Sequence, residues 1–223
     1  MTMQQGVMRE SIPHAGVCCV TMDWSTFYKW QAGRELRATF LTGLEALGDR
    51  APGFAIDLGC GDGLETKELI RRGWRVLAID SEPGVDERVR AAVGADDVVG
   101  SDGAPALEIW QSDFAEIHEL PAADFVYAGF SLPFCDASHF PYLWADIRDS
   151  MRPGAVFAGE LFGPDDEWFG RPGMNFHSLA GVEAMLDGLE VLQLIEDNQP
   201  GRSFEGPKHW HVFHIVARAA SPN

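Results

Sequence analysis

Apolar positions along this chain follow two spacings in turn. Short, nearly continuous apolar runs alternate with segments in which apolar side chains return every three or four positions. The first pattern reads as a buried strand and the second as an amphipathic helix. In chain order the pattern predicts strands over residues 53–59, 74–80, 106–113, 123–130, 155–163, 190–197 and 209–219. Between them it predicts helices over 63–73, 84–94, 139–152 and 179–189, the third stopping at Pro153. Ahead of the first strand, residues 23–48 carry apolar positions at helical spacing, interrupted near Gly33. Two short helices are expected there, the second from about Glu35 to Leu47. Residues 1–20 read as irregular.

Strands that alternate with helices imply a mostly parallel sheet covered on both faces. The last two strands have no helix between them, so the final strand should run antiparallel to its neighbour. The expected fold is a single α/β domain with a doubly wound, mostly parallel seven-stranded sheet and an antiparallel last strand. Residues 1–50 form its N-terminal helical lid and residues 51–223 its core.

Length and charge narrow the function. A chain of 223 residues suits one domain with one substantial core. No apolar run approaches the roughly 20 residues of a membrane span, and the N-terminal residues lack the basic start and apolar core of a signal peptide. Cys18, Cys19, Cys60 and Cys135 show no metal-ligand spacing. Reduced thiols in a cytoplasmic protein are expected. The net charge is -17 and the sequence has no Lys/Arg run, which argues against nucleic acid or an anionic membrane as partner. The charge by itself does not identify a partner.

The candidate chemistry begins at residues 55–66, AIDLGCGDGLET, where a strand meets three alternating glycines and then a helix. A tight corner of this kind lets a ligand approach the backbone closely. The dinucleotide fingerprint has the form G-x-G-x-x-G/A. Here the third glycine, Gly63, comes one position early, and Asp62 and Glu65 put negative charge where a pyrophosphate would sit. A ligand without phosphates fits better.

These residues resemble class I S-adenosylmethionine-dependent methyltransferases. DLGCGDG looks like their first motif, with glycine backbone against the cofactor. Asp80, closing VLAID, matches the acid that holds the ribose hydroxyls. Ser112-Asp113-Phe114 matches the adenine motif, Asp113 taking the exocyclic amine and Phe114 packing on the ring. MRPGAVF resembles the turn before the fifth strand, and KHWHVFHIVAR the closing antiparallel strand. The resemblance covers about residues 53–218 and implies a Rossmann-like fold with S-adenosyl-L-methionine as cofactor. FYKWQAGRELRATF and the ending PKHWHVFHIVAR are also similar to small bacterial methyltransferases of the tellurite-resistance and thiopurine type, which modify small molecules.

The expected cofactor residues are Arg34, Asp57, Gly59, Gly61, Gly63, Asp80, Ser81, Asp113, Phe114 and Ala128. Arg34 is included because guanidinium binds a carboxylate in a two-pronged way. Tyr28, Trp30, Phe134, Trp168 and Phe176 are the expected acceptor-binding aromatics, with residues 162–176 walling the pocket. His139 and His177 are the candidate bases. His209, His211 and His214 resemble a metal cluster, but along a strand the first two face one way and His214 the other. No metal is expected. The competing readings are a nicotinamide-dependent oxidoreductase and a non-catalytic S-adenosylmethionine-binding protein.

Overall fold

The computed structural model describes residues 24–94 and 105–221. Cys18 and Cys19 lie outside the described residues. Seven strands form one sheet: β1 Phe54–Leu58, β2 Arg75–Asp80, β3 Leu107–Gln111, β4 Ala123–Ala128, β5 Met151–Phe162, β6 Leu189–Ser203 and β7 Gly206–Ala219. Their spatial order is β3-β2-β1-β4-β5-β7-β6. The first five run parallel, and β7 lies antiparallel between β5 and β6.

Six helices accompany the sheet: α1 Trp24–Gln31, α2 Ala38–Ala46, α3 Leu64–Arg71, α4 Val85–Val93, α5 Phe140–Ser150 and α6 Leu179–Met185. The central strands β1, β2, β4 and β5 are buried on both faces because alternate side chains point to opposite layers. Ile56, Ile79, Val126 and Phe157 meet Trp144 and Ile147 of α5 and Val182 of α6. Ala55, Val76, Phe125, Tyr127 and Ala158 meet Phe40 and Leu44 of α2 and Leu69 of α3. Each such fully buried large side chain contributes about 1.5–3 kcal/mol.

Three boundaries depart from the sequence pattern. The helix over 139–152 ends at Ser150, and β5 begins at once. Pro153 and Gly154 sit in an irregularity of the β4–β5 register, between the Ala123–Met151 and Phe125–Val156 pairs. The second departure is β6, which runs to Ser203 rather than stopping at 197, and forms a long hairpin with β7. Pro200 is tolerated because β6 is an edge strand. Gly201 is required because Trp210 packs over it: a Cβ there would stand 2.7 Å from the indole.

The third departure concerns the lid. α2, grouped with the lid in the sequence, belongs to the core: Phe40 is fully buried and Leu44 nearly so. Among the described residues of the lid, α1 and the segment after it to Arg37 lie over the carboxyl edge of the sheet. There Trp24 makes an edge contact with Phe134 and Phe27 with Phe204 at the hairpin tip.

Gly43 sets how closely α2 approaches the sheet. A Cβ at this position would stand 2.6 Å from the Ala158 Cβ and 2.9 Å from the Phe125 ring. Gly43→Ala would gain about 1 kcal/mol of helix propensity, but overpacking of a tight core costs about 1–3 kcal/mol. Urea denaturation should therefore show the variant destabilised, by about 1 kcal/mol. A more stable variant would mean that α2 has room to move outward.

Candidate functional site

The parallel strands β1, β2, β4 and β5 all deliver their carboxyl ends to one edge, where ligands bind in open α/β sheets. A cavity of about 950 Å³ opens there, beneath α1 and the β6–β7 hairpin. Its floor is the glycine corner. Gly59, Gly61 and Gly63 all have positive φ, at 73°, 56° and 76°. Two of them are also pressed from outside. A Cβ on Gly59 would strike the Ser131 side chain at 2.2 Å, and one on Gly61 would come within 3.1 Å of the Tyr28 ring. Gly63 faces away from the cavity, against Val89 of α4.

Three acids mark this half. Asp80, at the end of β2, accepts from Gly61 N and Glu82 N, each at 2.9 Å. A carboxylate has about four acceptor positions; with these two backbone donors and the Tyr28 hydroxyl in place, capacity remains for a ligand's hydroxyl. Asp113 lines the cavity and also caps the short 3-10 turn Phe114–Glu116, accepting from Ala115 N at 2.8 Å. Asp57 ends β1 at 1% exposure and accepts from the Thr66 hydroxyl at 2.6 Å. Burial pushes its carboxyl up to about 7; the neighbouring Glu65 adds to the rise and the Thr66 hydrogen bond opposes it. Ser81 and Phe114 line the same half.

The arginines differ in how committed they are. Arg34 grips Glu65 with both terminal nitrogens at 2.5 Å and lies 3.6 Å from Asp62. Arg37 donates to Gln31 at 3.3 Å, and its guanidinium lies 4.6 Å from the Phe130 ring centre. The Nε of each is buried with no partner among the described residues, but Arg37 lacks the carboxylate that holds both terminal nitrogens of Arg34. Arg37 is thus the less occupied cation in the cavity wall.

Tyr28, expected beside the acceptor, stands at the Asp80 end instead. Its hydroxyl is 3.4 Å from both Asp80 oxygens, and Arg88 lies over its ring at 4.5 Å. Burial, reinforced by Asp80, raises its phenol far above the ordinary value.

The other half of the cavity is aromatic. Phe130, Phe134, Phe162, Trp168 and Trp210 line it, with Trp30 at the rim, 54% exposed. Residues 162–176 supply Trp168, Arg171 and Met174 to this wall, as the sequence suggests. A buried ion pair holds the wall from behind. Lys208 Nζ lies 2.6 Å from Asp166 Oδ2, and both side chains are almost fully buried. The ammonium sits 3.4 Å from the Trp210 ring centre and 4.1 Å from that of Trp168. Asp166 also accepts from Trp168 N, which fixes the loop that carries the indole.

Several expected residues stand outside the cavity lining. Phe176 packs between Phe162 and Phe169. Ala128 is buried in β4 opposite Gly159. His177 hydrogen-bonds Asn175 at 2.7 Å and stacks near Phe140, while Asn175 ties down Leu132 O and Cys135 O. His139 begins α5, its Nε2 buried without a partner. Neither His139 nor His177 reaches the cavity, because both are used in packing the loops that carry them.

The histidine that does line it is His214. On β7 it shares a face with Trp210 and Val212, both in the cavity wall, whereas His211 turns to Glu196 on the other face. That alternation was the sequence signal available for it. Among the described residues no group of His, Cys, Asp and Glu is arranged to hold a metal ion, and no helix is long and apolar enough to cross a membrane.

Comparison with known proteins agrees with this geometry. Residues 56–159 match the family model described as a methyltransferase domain. No curated protein sequence matches the chain. Among solved structures, TehB from Haemophilus influenzae superposes with a TM-score of 0.70 at 13% identity, covering 86% of this chain and 65% of that one. The present chain thus spans about two thirds of the length of TehB. The 1,6-didemethyltoxoflavin-N1-methyltransferase of Burkholderia thailandensis, solved with 1,6-didemethyltoxoflavin and S-adenosylhomocysteine, gives 0.60 at 18% identity, covering 88% and 85%. The N-methyltransferase NodS from Bradyrhizobium japonicum WM9, in complex with S-adenosylhomocysteine, gives 0.58 at 13%, covering 86% and 97%. Identities this low establish a shared fold. The chain has the Rossmann-like fold of these methyltransferases, and its residues 56–159 match a methyltransferase domain.

Proposed function

We propose that the protein transfers the methyl group of S-adenosylmethionine to a small-molecule acceptor by in-line displacement. The observation that carries this reading is the division of one cavity into two unlike halves. One half presents carboxylates around a glycine corner; the other presents aromatic rings, bordered by polar residues of the β6–β7 hairpin. Asp80 retains acceptor capacity for the ribose hydroxyls, and Asp113 for the adenine amine. Asp57 faces the cofactor's ammonium. Arg37, whose guanidinium among the described residues donates to Gln31 alone, takes the methionine carboxylate more readily than Arg34, whose two terminal nitrogens Glu65 already occupies.

The sulfonium activates the methyl by itself, so the protein's work is alignment and exclusion of water. The aromatic half suits both tasks. The ring systems of Trp168 and Trp210 favour a flat acceptor, and the Burkholderia methyltransferase, on the same fold, holds 1,6-didemethyltoxoflavin. A nucleic-acid substrate is disfavoured by the net charge of -17. The free thiols Cys60 and Cys135 are buried, in keeping with a cytoplasmic enzyme.

Ligand binding tests the cofactor assignment directly. S-adenosylhomocysteine at one hundred times its dissociation constant should stabilise the protein by about 2.7 kcal/mol, a rise in melting temperature of roughly 5–10 °C for a chain of this size. NADH should produce none. Asp80→Ala removes hydrogen bonds to a charged group worth about 1.5–3 kcal/mol, so calorimetric affinity for S-adenosylhomocysteine should fall at least tenfold. Stabilisation by NADH alone would replace the methyltransferase reading with the oxidoreductase one.

Asp57 predicts a pH dependence. Its folded-state value of about 7 exceeds that of an unfolded aspartate, about 3.9. The folded state therefore binds the proton more tightly. The stability this confers is complete below about pH 4 and is lost as pH rises towards 7. Asp57→Asn keeps an acceptor for the Thr66 hydroxyl and removes the titration. Between pH 5 and pH 7.5, urea melts of the ligand-free wild type should lose on the order of 2 kcal/mol more than those of the variant. Equal losses would show that Asp57 is ionised throughout this range.

A further inference from the structure

Glu160, near the end of β5, is 1% exposed and lies opposite His214 in the β5–β7 register. Its Oε2 accepts from Phe130 N at 3.1 Å, and its Oε1 lies 3.4 Å from His214 Nδ1. Thr39, from the first turn of α2, places its hydroxyl 3.2 Å from the same nitrogen. The imidazole is thus held through Nδ1 from the protein side, while the ring borders the cavity with its side chain 25% exposed. A carboxylate accepts, so the Glu160 contact favours the tautomer with the hydrogen on Nδ1 and the lone pair on Nε2, the Thr39 hydroxyl then accepting.

The place of this pair relative to the cofactor half follows from contacts already described. Gly59 packs against Ser131, Ser131 follows Phe130, and Phe130 is bonded to Glu160 and in edge contact with His214. Phe130 has φ 55° and is the non-glycine residue with positive φ among the described residues. That strained conformation aims its N–H at Glu160. His214 therefore stands in the acceptor half, one strand beyond the segment that touches the glycine corner.

We propose that His214, oriented by Glu160, is the general base of the methyl transfer, and that the acceptor is a flat aromatic molecule carrying an ionisable O–H or S–H. This rests on the methyltransferase reading above. In the step, a lone pair of the acceptor oxygen or sulfur forms a bond to the sulfonium methyl carbon. The carbon–sulfur bond breaks and its electron pair stays on sulfur, giving neutral S-adenosylhomocysteine. The acceptor's proton passes to His214 Nε2, and Glu160 balances the imidazolium charge before the proton leaves to solvent. Oriented carboxylate–imidazole pairs act in this manner on other folds. Glu160 from β5 is the charged group in contact with the imidazole, and Arg37 lies over the Phe130 ring that makes edge contact with it.

The test is a series of para-substituted phenols and thiophenols that runs from protonated to ionised at pH 8, assayed by S-adenosylhomocysteine release. General-base catalysis contributes about 10²–10⁴-fold. His214→Asn should lower kcat by about a hundredfold or more for the protonated members, with KM and S-adenosylhomocysteine affinity nearly unchanged. For members already ionised, the loss should shrink to a few-fold. Glu160→Gln, which keeps an acceptor for Phe130 N, should show a smaller loss with the same dependence on acceptor ionisation, and it carries the test if His214→Asn melts early. A loss that is uniform across the series, or no loss, would reduce His214 to a partner for a buried carboxylate. A wild type that binds S-adenosylhomocysteine yet methylates no member overturns the acceptor class and leaves the cofactor assignment standing. Failure to bind S-adenosylhomocysteine overturns both.

Discussion

Three buried carboxylates lie at one edge of the sheet, and much of the surrounding structure is arranged to satisfy them. Asp57, Asp80 and Glu160 end or nearly end β1, β2 and β5, and none is more than 8% exposed. A buried carboxylate is tolerated only when hydrogen bonds or opposite charge replace the water it has lost. Each acid meets that demand differently. Asp80 takes two backbone N–H groups, which fixes the glycine corner below it and the turn after it. Glu160 takes Phe130 N and leans on His214. Asp57 has a single hydroxyl and carries its proton up to about pH 7 instead. The N-terminal segment answers the same demand, since Arg34 neutralises Glu65 and Tyr28 closes over Asp80. The lid is therefore attached electrostatically as well as by aromatic contact.

The sheet was legible in the sequence because its evidence is local. A strand and its following helix differ in apolar period within a dozen residues, and the cofactor motifs fall at strand ends within one continuous stretch, residues 57–114. Asp57, Gly59, Gly61, Asp80, Ser81, Asp113 and Phe114 all line the cavity for that reason. What was hidden depended on register between distant segments. Glu160 and His214 meet only because β7 pairs antiparallel with β5, a relation that periodicity does not encode. The continuation of β6 was hidden because Pro200 and Gly201 read as breakers. An edge position permits the proline, and the Trp210 indole occupies the space left by the glycine. His139 and His177 were plausible from their loop positions alone, but the loops spend them on packing. Tyr28 was sited correctly on the lid and incorrectly along it, since a helix of eight residues places neighbours such as Tyr28 and Trp30 far apart around its circumference.

Charge accounts for which cofactor such an edge accepts. Seven carboxylate side chains and four arginines line the cavity. S-adenosylmethionine brings a sulfonium, an ammonium and one carboxylate, a net positive charge, whereas a nicotinamide dinucleotide brings a pyrophosphate. An acid-rich wall favours the first and repels the second. The same field acts on the reaction. Transfer of the methyl discharges the sulfonium, so the attraction between cofactor and wall weakens as product forms. If the acceptor also yields its proton to His214, the positive charge lost at sulfur reappears on the imidazolium beside Glu160, and the cavity keeps its overall charge through the step. A wall built from fixed carboxylates then serves the donor before transfer and the protonated base after it, without rearrangement between the two.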